Sequence, residues 1–407
     1  MLGAVVILAE GSPMGAVLAH PLTEHPHFPL SPWVTAFLVA AIVVAVAVVW
    51  PARPRDSHVS DPVVASWAES LSSAQLVVRV VAVALLVLAI VAGRVGVDDE
   101  LENLAPALVV GIGWPLLVLA SVSLGAVWGW LDPWDGIARV VAPDDPKRAE
   151  SQVWPAVAFA LIWVWYLSAY PTPLDPRSIG ALLALYSVVT VAGCLALGRR
   201  RWLSSAEPLG IMLSWMALRS RRSLGEWLPP RGADVLLGVL AGGVLFGAVR
   251  RSALWGELNI VPAALGIATI GVTASSALVA GMLRAVTRIG RQIPEQSVVR
   301  ATVPALAGII VAVALDRSRL QTSLQLLPRL LFDPLGLGWD PIGVSETALA
   351  QPLSDSGLLF IQLAALLAGH VAGAMAMARS TPQGQRGRAT GFLAFLAAVS
   401  VIAIVTY

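Results

Sequence analysis

Apolar stretches of about 16 to 25 residues recur along the whole chain, and a helix of that length spans the roughly 30 Å hydrocarbon core of a bilayer. The rest of the composition leaves little room for another solvent. Of 407 residues, 57% are hydrophobic and 13% charged, against about 25% charged in soluble domains, and the mean hydropathy is +0.78. So few charges could not cover the surface of a soluble protein this large. The pattern predicts an all-α polytopic transmembrane helix bundle of about ten spans in the plasma membrane, with the lipid bilayer as its first partner. The spans fall near 33–50, 74–92, 104–128, 152–169, 179–197, 233–249, 261–284, 301–315, 357–377 and 390–406. Residues 1–32 read as an N-terminal apolar, signal-like segment with a histidine-rich lead-in, and 33–407 as the transmembrane helical domain.

Basic residues between spans set the expected orientation. One set of alternating loops holds Arg53 and Arg55, Arg139, Lys147 and Arg148, seven arginines in 198–232, then Arg288, Arg291 and Arg300, and Arg379, Arg386 and Arg388. The opposite set is poorer in arginine and carries Asp98, Asp99, Glu100 and Glu102, so the first set is expected in the cytoplasm. Residues 1–19 are either a cleaved signal ending at Val17-Leu18-Ala19 or a further span, and both place His20 outside. A net charge of +2, with basic residues confined to short loops, argues against nucleic acid as a partner. The single cysteine, Cys194, excludes a disulfide framework and a cysteine-built metal cage.

Two connections are more than turns. Ser204-Ser205-Ala206-Glu207-Pro208 has the form of a capping box followed by an early proline, and Leu209 to Leu218 is too short to span. It predicts a cytoplasmic interfacial or re-entrant helix, with Arg219, Arg221 and Arg222 at anionic headgroups. The stretch 316–356 predicts a long ordered extracytoplasmic loop around Asp333-Pro334-Leu335-Gly336-Leu337-Gly338-Trp339-Asp340.

Ionisable groups inside the apolar stretches are costly and draw attention. His370, between Gly369 and Gly373, lies well inside the ninth span with Gln362 about two turns earlier. It reads either as a proton carrier or ligand, or as a histidine bonded to a carbonyl. Arg79 and Arg284 sit near span ends and are expected to snorkel. Trp114-Pro115 predicts a kink in the third span, whose outer mouth carries Glu102 and Asn103. Trp128, Trp130 and Trp134 are expected to form an interfacial belt. Outside, His20, His25 and His27 cluster in a proline-rich segment; imidazoles so spaced suit a divalent transition metal, copper or zinc, against the bland alternative of a polar lead-in.

Several motifs together resemble a family of bacterial and archaeal membrane proteins labelled fenitrothion hydrolase-like. They are Glu102-Asn103-Leu104-Ala105-Pro106, Leu131-Asp132-Pro133-Trp134, Tyr170-Pro171 with Asp175-Pro176-Arg177, Ser204 to Pro208, Asp333 to Asp340, and Gly369-His370-Val371-Ala372-Gly373. The likeness runs from about Trp33 to Arg379, and His20 matches a histidine that members carry after their N-terminal apolar stretch. The resemblance implies hydrolysis of an organophosphorus ester and a second, similar membrane subunit as partner. The chain departs from it in the eighth span, where Ala314-Leu315-Asp316-Arg317 stands in place of a His-Tyr pair. Three functions are therefore carried forward. One is a metal-assisted hydrolase using His20, His25 and His27; another is a transporter or channel with a midplane cavity near His370; the third is a non-catalytic subunit of a metal-handling membrane complex.

Overall fold

The computed structural model describes residues 32–49, 71–142, 152–218, 227–252, 255, 265–289, 295–315, 319–341, 343, 354–381 and 386–405. They are all-helical, with no strand among them. In chain order the helices are α1 (Pro32–Val49), α2 (Ser73–Val95), α3 (Leu104–Pro106), a π-helical stretch (Ala107–Gly113), α4 (Trp114–Leu124), α5 (Trp128–Leu131) and α6 (Pro133–Val141). Then follow α7 (Trp154–Ser168), α8 (Pro176–Leu197), α9 (Arg199–Ser205), α10 (Pro208–Met216), α11 (Ala233–Arg251) and α12 (Leu265–Ile289). The last four are α13 (Glu295–Ala314), α14 (Arg319–Phe332), α15 (Asp355–Ser380) and α16 (Arg386–Val405).

Local chemistry sets many of the helix starts. Ser72 and Gln75 close a reciprocal capping box on α2, and Asp175 caps α8 just before Pro176, which has no N–H to leave unpaired. Seven helical segments are long and apolar enough to cross a membrane: Ser73–Val95, Leu104–Leu124, Pro176–Leu197, Ala233–Arg251, Leu265–Val286, Gln296–Ala314 and Ser356–Arg379. Shorter apolar helices, Val34–Val46, Trp154–Ser168 and Thr390–Val405, stand where three further spans were expected. α11 and α13 form the buried centre, while Val77 and Val80 of α2, Val188 of α8, Ile270 of α12 and Phe360 of α15 point outward. An outer surface of that kind suits hydrocarbon rather than water, and the architecture fits an integral membrane protein.

Small residues let the helices approach. α13 crosses α15 where Gly308 faces Gly369, α2 meets α8 at Gly93 and Gly180, and α11 meets α12 where Gly238 and Gly242 face Ala280 and Ser276.

Three expectations need correction. The third span is not simply kinked at Pro115. Seven residues ahead of it, Ala107–Gly113, take the wider π-helical form, and the Trp114 N–H reaches back to the Val109 carbonyl. Pro115 can give no N–H to the preceding turn and its ring crowds the carbonyl four residues back; the wider turn relieves both. The short helix α10 does not lie on the surface as an interfacial helix would, because all its residues but Leu209 are buried, packed among α4, α5, α7, α9 and α13. Nor does Ser204 cap it: Ser204 and Ser205 end α9, and Glu207 itself is the cap. The stretch expected as a long loop holds a helix, α14, whose Leu330 packs with Leu104 and Ala107 over the start of the π-helical stretch.

Candidate functional site

The helix breaks converge on one buried polar centre, at the end of the bundle where α2 begins and α8 ends. Its construction starts at Asp132, which accepts the backbone N–H groups of Trp134 and Asp135 at 3.0 Å each and, with Pro133 following, starts α6. That start turns Asp135 inward, where it is fully buried. Arg79 of α2 and Arg139, one turn along α6, reach its Oδ2, the latter at 2.8 Å. Arg199 binds its Oδ1. Gly198, with φ of +92°, turns the chain at the end of α8 and delivers Arg199 inward as the first residue of α9. A second Arg79 nitrogen donates to the Gly129 carbonyl at 2.6 Å, so one guanidinium ties α2 to both α5 and α6.

Beside this cationic group lies a carboxyl of another kind. Glu207 is 1% exposed, and it accepts the Tyr186 hydroxyl and the Leu209 N–H (3.0 Å) on Oε1 and the Gly210 N–H (2.5 Å) on Oε2. No guanidinium reaches it among the described residues. Tyr186 stands edge-on to Trp134 with ring centres 5.0 Å apart, Trp134 is tilted against Trp128 at 6.0 Å, and the Trp134 N–H donates to Ser187 at 3.0 Å. Burial first, and the charge of Asp132 second, push the Glu207 carboxyl from an ordinary 4.5 up to about 8; the hydrogen bonds from Tyr186, Gly210 and Leu209 oppose the shift. Because the folded value lies above the unfolded one, folding takes up a proton between those pH values. The stability this provides fades as pH rises through about 8.

Most of the candidate site residues read from the sequence lie elsewhere. At the opposite end, Asn103 is buried, caps α3 through the Ala105 N–H (2.9 Å) and donates to the carbonyls of Ala92 (2.8 Å) and Val97 (2.7 Å). Glu102 is exposed, 3.6 Å from Arg329 of α14. Asp333 ends α14 and ties down the turn after it, accepting N–H groups of Leu337 (2.8 Å), Gly338 (2.7 Å) and Trp339 (3.1 Å), while Trp339 and Asp340 face outward. These residues shape the mouth without gathering into a reactive cluster. In the bundle, His370 is fully buried with Nδ1 2.9 Å from the Leu366 carbonyl of its own helix, and Gln362 donates to the Ala312 carbonyl at 2.9 Å. The space beside Gln362 is about 10 Å³, room for one water at most. His20, His25 and His27 lie outside the described residues. No group of three or more metal-ligating side chains occurs among those described.

Two further expectations change. Arg79 does not snorkel: at 2% exposure it is a member of the ionic centre. Arg284 pairs with Asp234 of α11 at 2.7 Å and lies over the Trp154 ring. Trp128 and Trp134 are buried beside the centre, and Trp130 alone of the three is exposed. The signals that could have found the centre are two acid–proline pairs, Asp132-Pro133 and Glu207-Pro208, each starting a helix the bundle then encloses.

No protein family, curated protein or solved structure matches the chain. The functional reading therefore rests on the geometry alone.

Proposed function

We propose that this is a multi-pass transporter of the plasma membrane whose cytoplasmic gate is the ionic centre around Asp135. The observation that carries this reading is the convergence of α4 to α6, α9 and the short buried α10 on buried ionisable side chains. Broken and re-entrant helices are tolerated at depth where protein or a transport path satisfies their backbone groups, and ionisable groups there mark paths for ions or polar solutes. Arg79 and Arg199 reach Asp135 from α2 and α9, so their release would free α6 from both neighbours and open one end of the bundle. The arginine-rich loops at that end favour a cytoplasmic position for it.

The native cysteine tests this without engineering a label. Cys194 is fully buried on α8, one turn from Arg199. In inside-out vesicles a membrane-impermeant maleimide should modify it slowly in the wild type. Asp135→Asn removes the charge that the buried arginines pair with and should raise the rate at least about tenfold. Equal rates in the two proteins would remove the gate. The organophosphorus hydrolase reading, with copper or zinc at His20, His25 and His27 and a second membrane subunit, keeps the sequence resemblance as its only support.

A further inference from the structure

Building on the transporter reading, we propose that Glu207 is the centre's proton-binding site: its carboxyl carries a proton while the bundle is closed and gives it up when the centre opens to water. The geometry argues this in three steps. First, Glu207 is as buried as Asp135, yet the arginines of the centre converge on Asp135, and Glu207 has only dipoles for partners among the described residues. A carboxylate buried without a cation costs more than one that takes up a proton.

Second, the groups facing it do not supply the missing charge. α8 presents Tyr186 and Cys194, the segment before α6 presents Asp132, and α9 carries Arg199, Arg200 and Arg201. Of these arginines, Arg199 is committed to Asp135. Of the other helices packed on α10, α13 offers Arg300, whose Nε donates to the Trp227 carbonyl at 2.7 Å. Neither α4 nor α5 has a titratable side chain, and α7 has only Tyr166. Third, the Trp128 N–H, on a side chain 6% exposed, has no acceptor among the described residues. A Cβ built on Gly210 would collide with both this nitrogen and Glu207 Oε2, so the two lie close together over the same face of that glycine. An idle donor beside the protonated oxygen is a hydrogen bond held in reserve for the anion.

On release the Oε2–H bond breaks, its electron pair stays on the carboxylate, and the proton passes to water at the opened face. The ionised oxygen can then take the Trp128 N–H as a further donor, while Asp132 and the low polarity favour return of the proton. A small residue at 210 is needed for this, since any Cβ would wedge the pair apart.

Infrared difference spectroscopy of the full-length protein in lipid, titrated from pH 5.5 to 9.5, tests the site directly. The carbonyl band of a buried carboxylic acid should vanish with a midpoint near pH 8 in the wild type and be missing from Glu207→Gln. Tyr186→Phe removes a donor that favours the anion and should move the midpoint upward, which keeps the test valid if Glu207→Gln folds poorly. A band that persists in Glu207→Gln, or a wild type lacking the band at pH 6, would overturn the assignment. Slow, unaltered cysteine labelling in Asp135→Asn alongside a normal Glu207 titration would instead remove the gate and leave the proton site standing.

Discussion

Asp135→Ala should cost about 3–5 kcal/mol of stability, the loss expected when one partner of a buried ionic group is removed. The magnitude follows from what is left behind. Asp135 is fully buried, and the guanidiniums of Arg79 and Arg199 are 2% and 1% exposed. Without the carboxylate both remain desolvated, beside Arg139 and with only part of their hydrogen bonding met. Asp135→Asn keeps the shape and one acceptor and should lose less, which makes it the better probe of gating. Denaturation in mild detergent, followed by tryptophan fluorescence or by loss of monodispersity on heating, measures the difference. A loss below about 1 kcal/mol would mean that the arginines reach water or headgroups, as surface pairs do.

Gly369→Leu should be comparably damaging for a reason of shape. Any Cβ at Gly369 would lie 2.5 Å from the Pro304 carbonyl oxygen and 2.7 Å from the Gly308 Cα, both backbone atoms that cannot swing aside. α13 and α15 would have to separate along the most extensive helix contact among the described residues. Overpacking in cores typically costs about 1–3 kcal/mol, and a branched side chain against two backbones belongs at or beyond the upper end. Gly369→Ala should show a milder form of the same defect. Because His370 is held by its own helix, His370→Phe should by contrast disturb folding less than Gly369→Leu. Parallel thermal unfolding of the three variants checks the order.

How far the chain could be read from its letters differs by feature. Long apolar runs speak directly, because nothing but a helix satisfies its own backbone in lipid, and the described helices fall where those runs lie. The short helix at residues 208–216 was legible in an apolar run too short to span and a proline placed early. The ionic centre was not visible. Arg79, Asp135 and the pair Arg199 and Glu207 are far apart in sequence, and each reads alone as an ordinary loop or span-end charge. Only the folding of α6 and α10 back into the bundle brings them together. The π-helical stretch was hidden for another reason: Pro115 announces a distortion without saying whether the chain bends or widens. His370 attracted attention because it stands in an apolar helix, yet its Nδ1 has a partner four residues earlier in its own helix.

The most direct test of the central claim is proton flux. Purified protein is reconstituted into liposomes holding a pH-sensitive dye, with potassium and valinomycin fixing the membrane potential. After an imposed pH step, wild-type vesicles should equilibrate at least about tenfold faster than protein-free ones, and Glu207→Gln should return toward that baseline, because a proton path through a buried carboxyl closes when the carboxyl can no longer ionise. Wild-type vesicles no faster than empty liposomes, or a Glu207→Gln protein as fast as the wild type, would contradict the account.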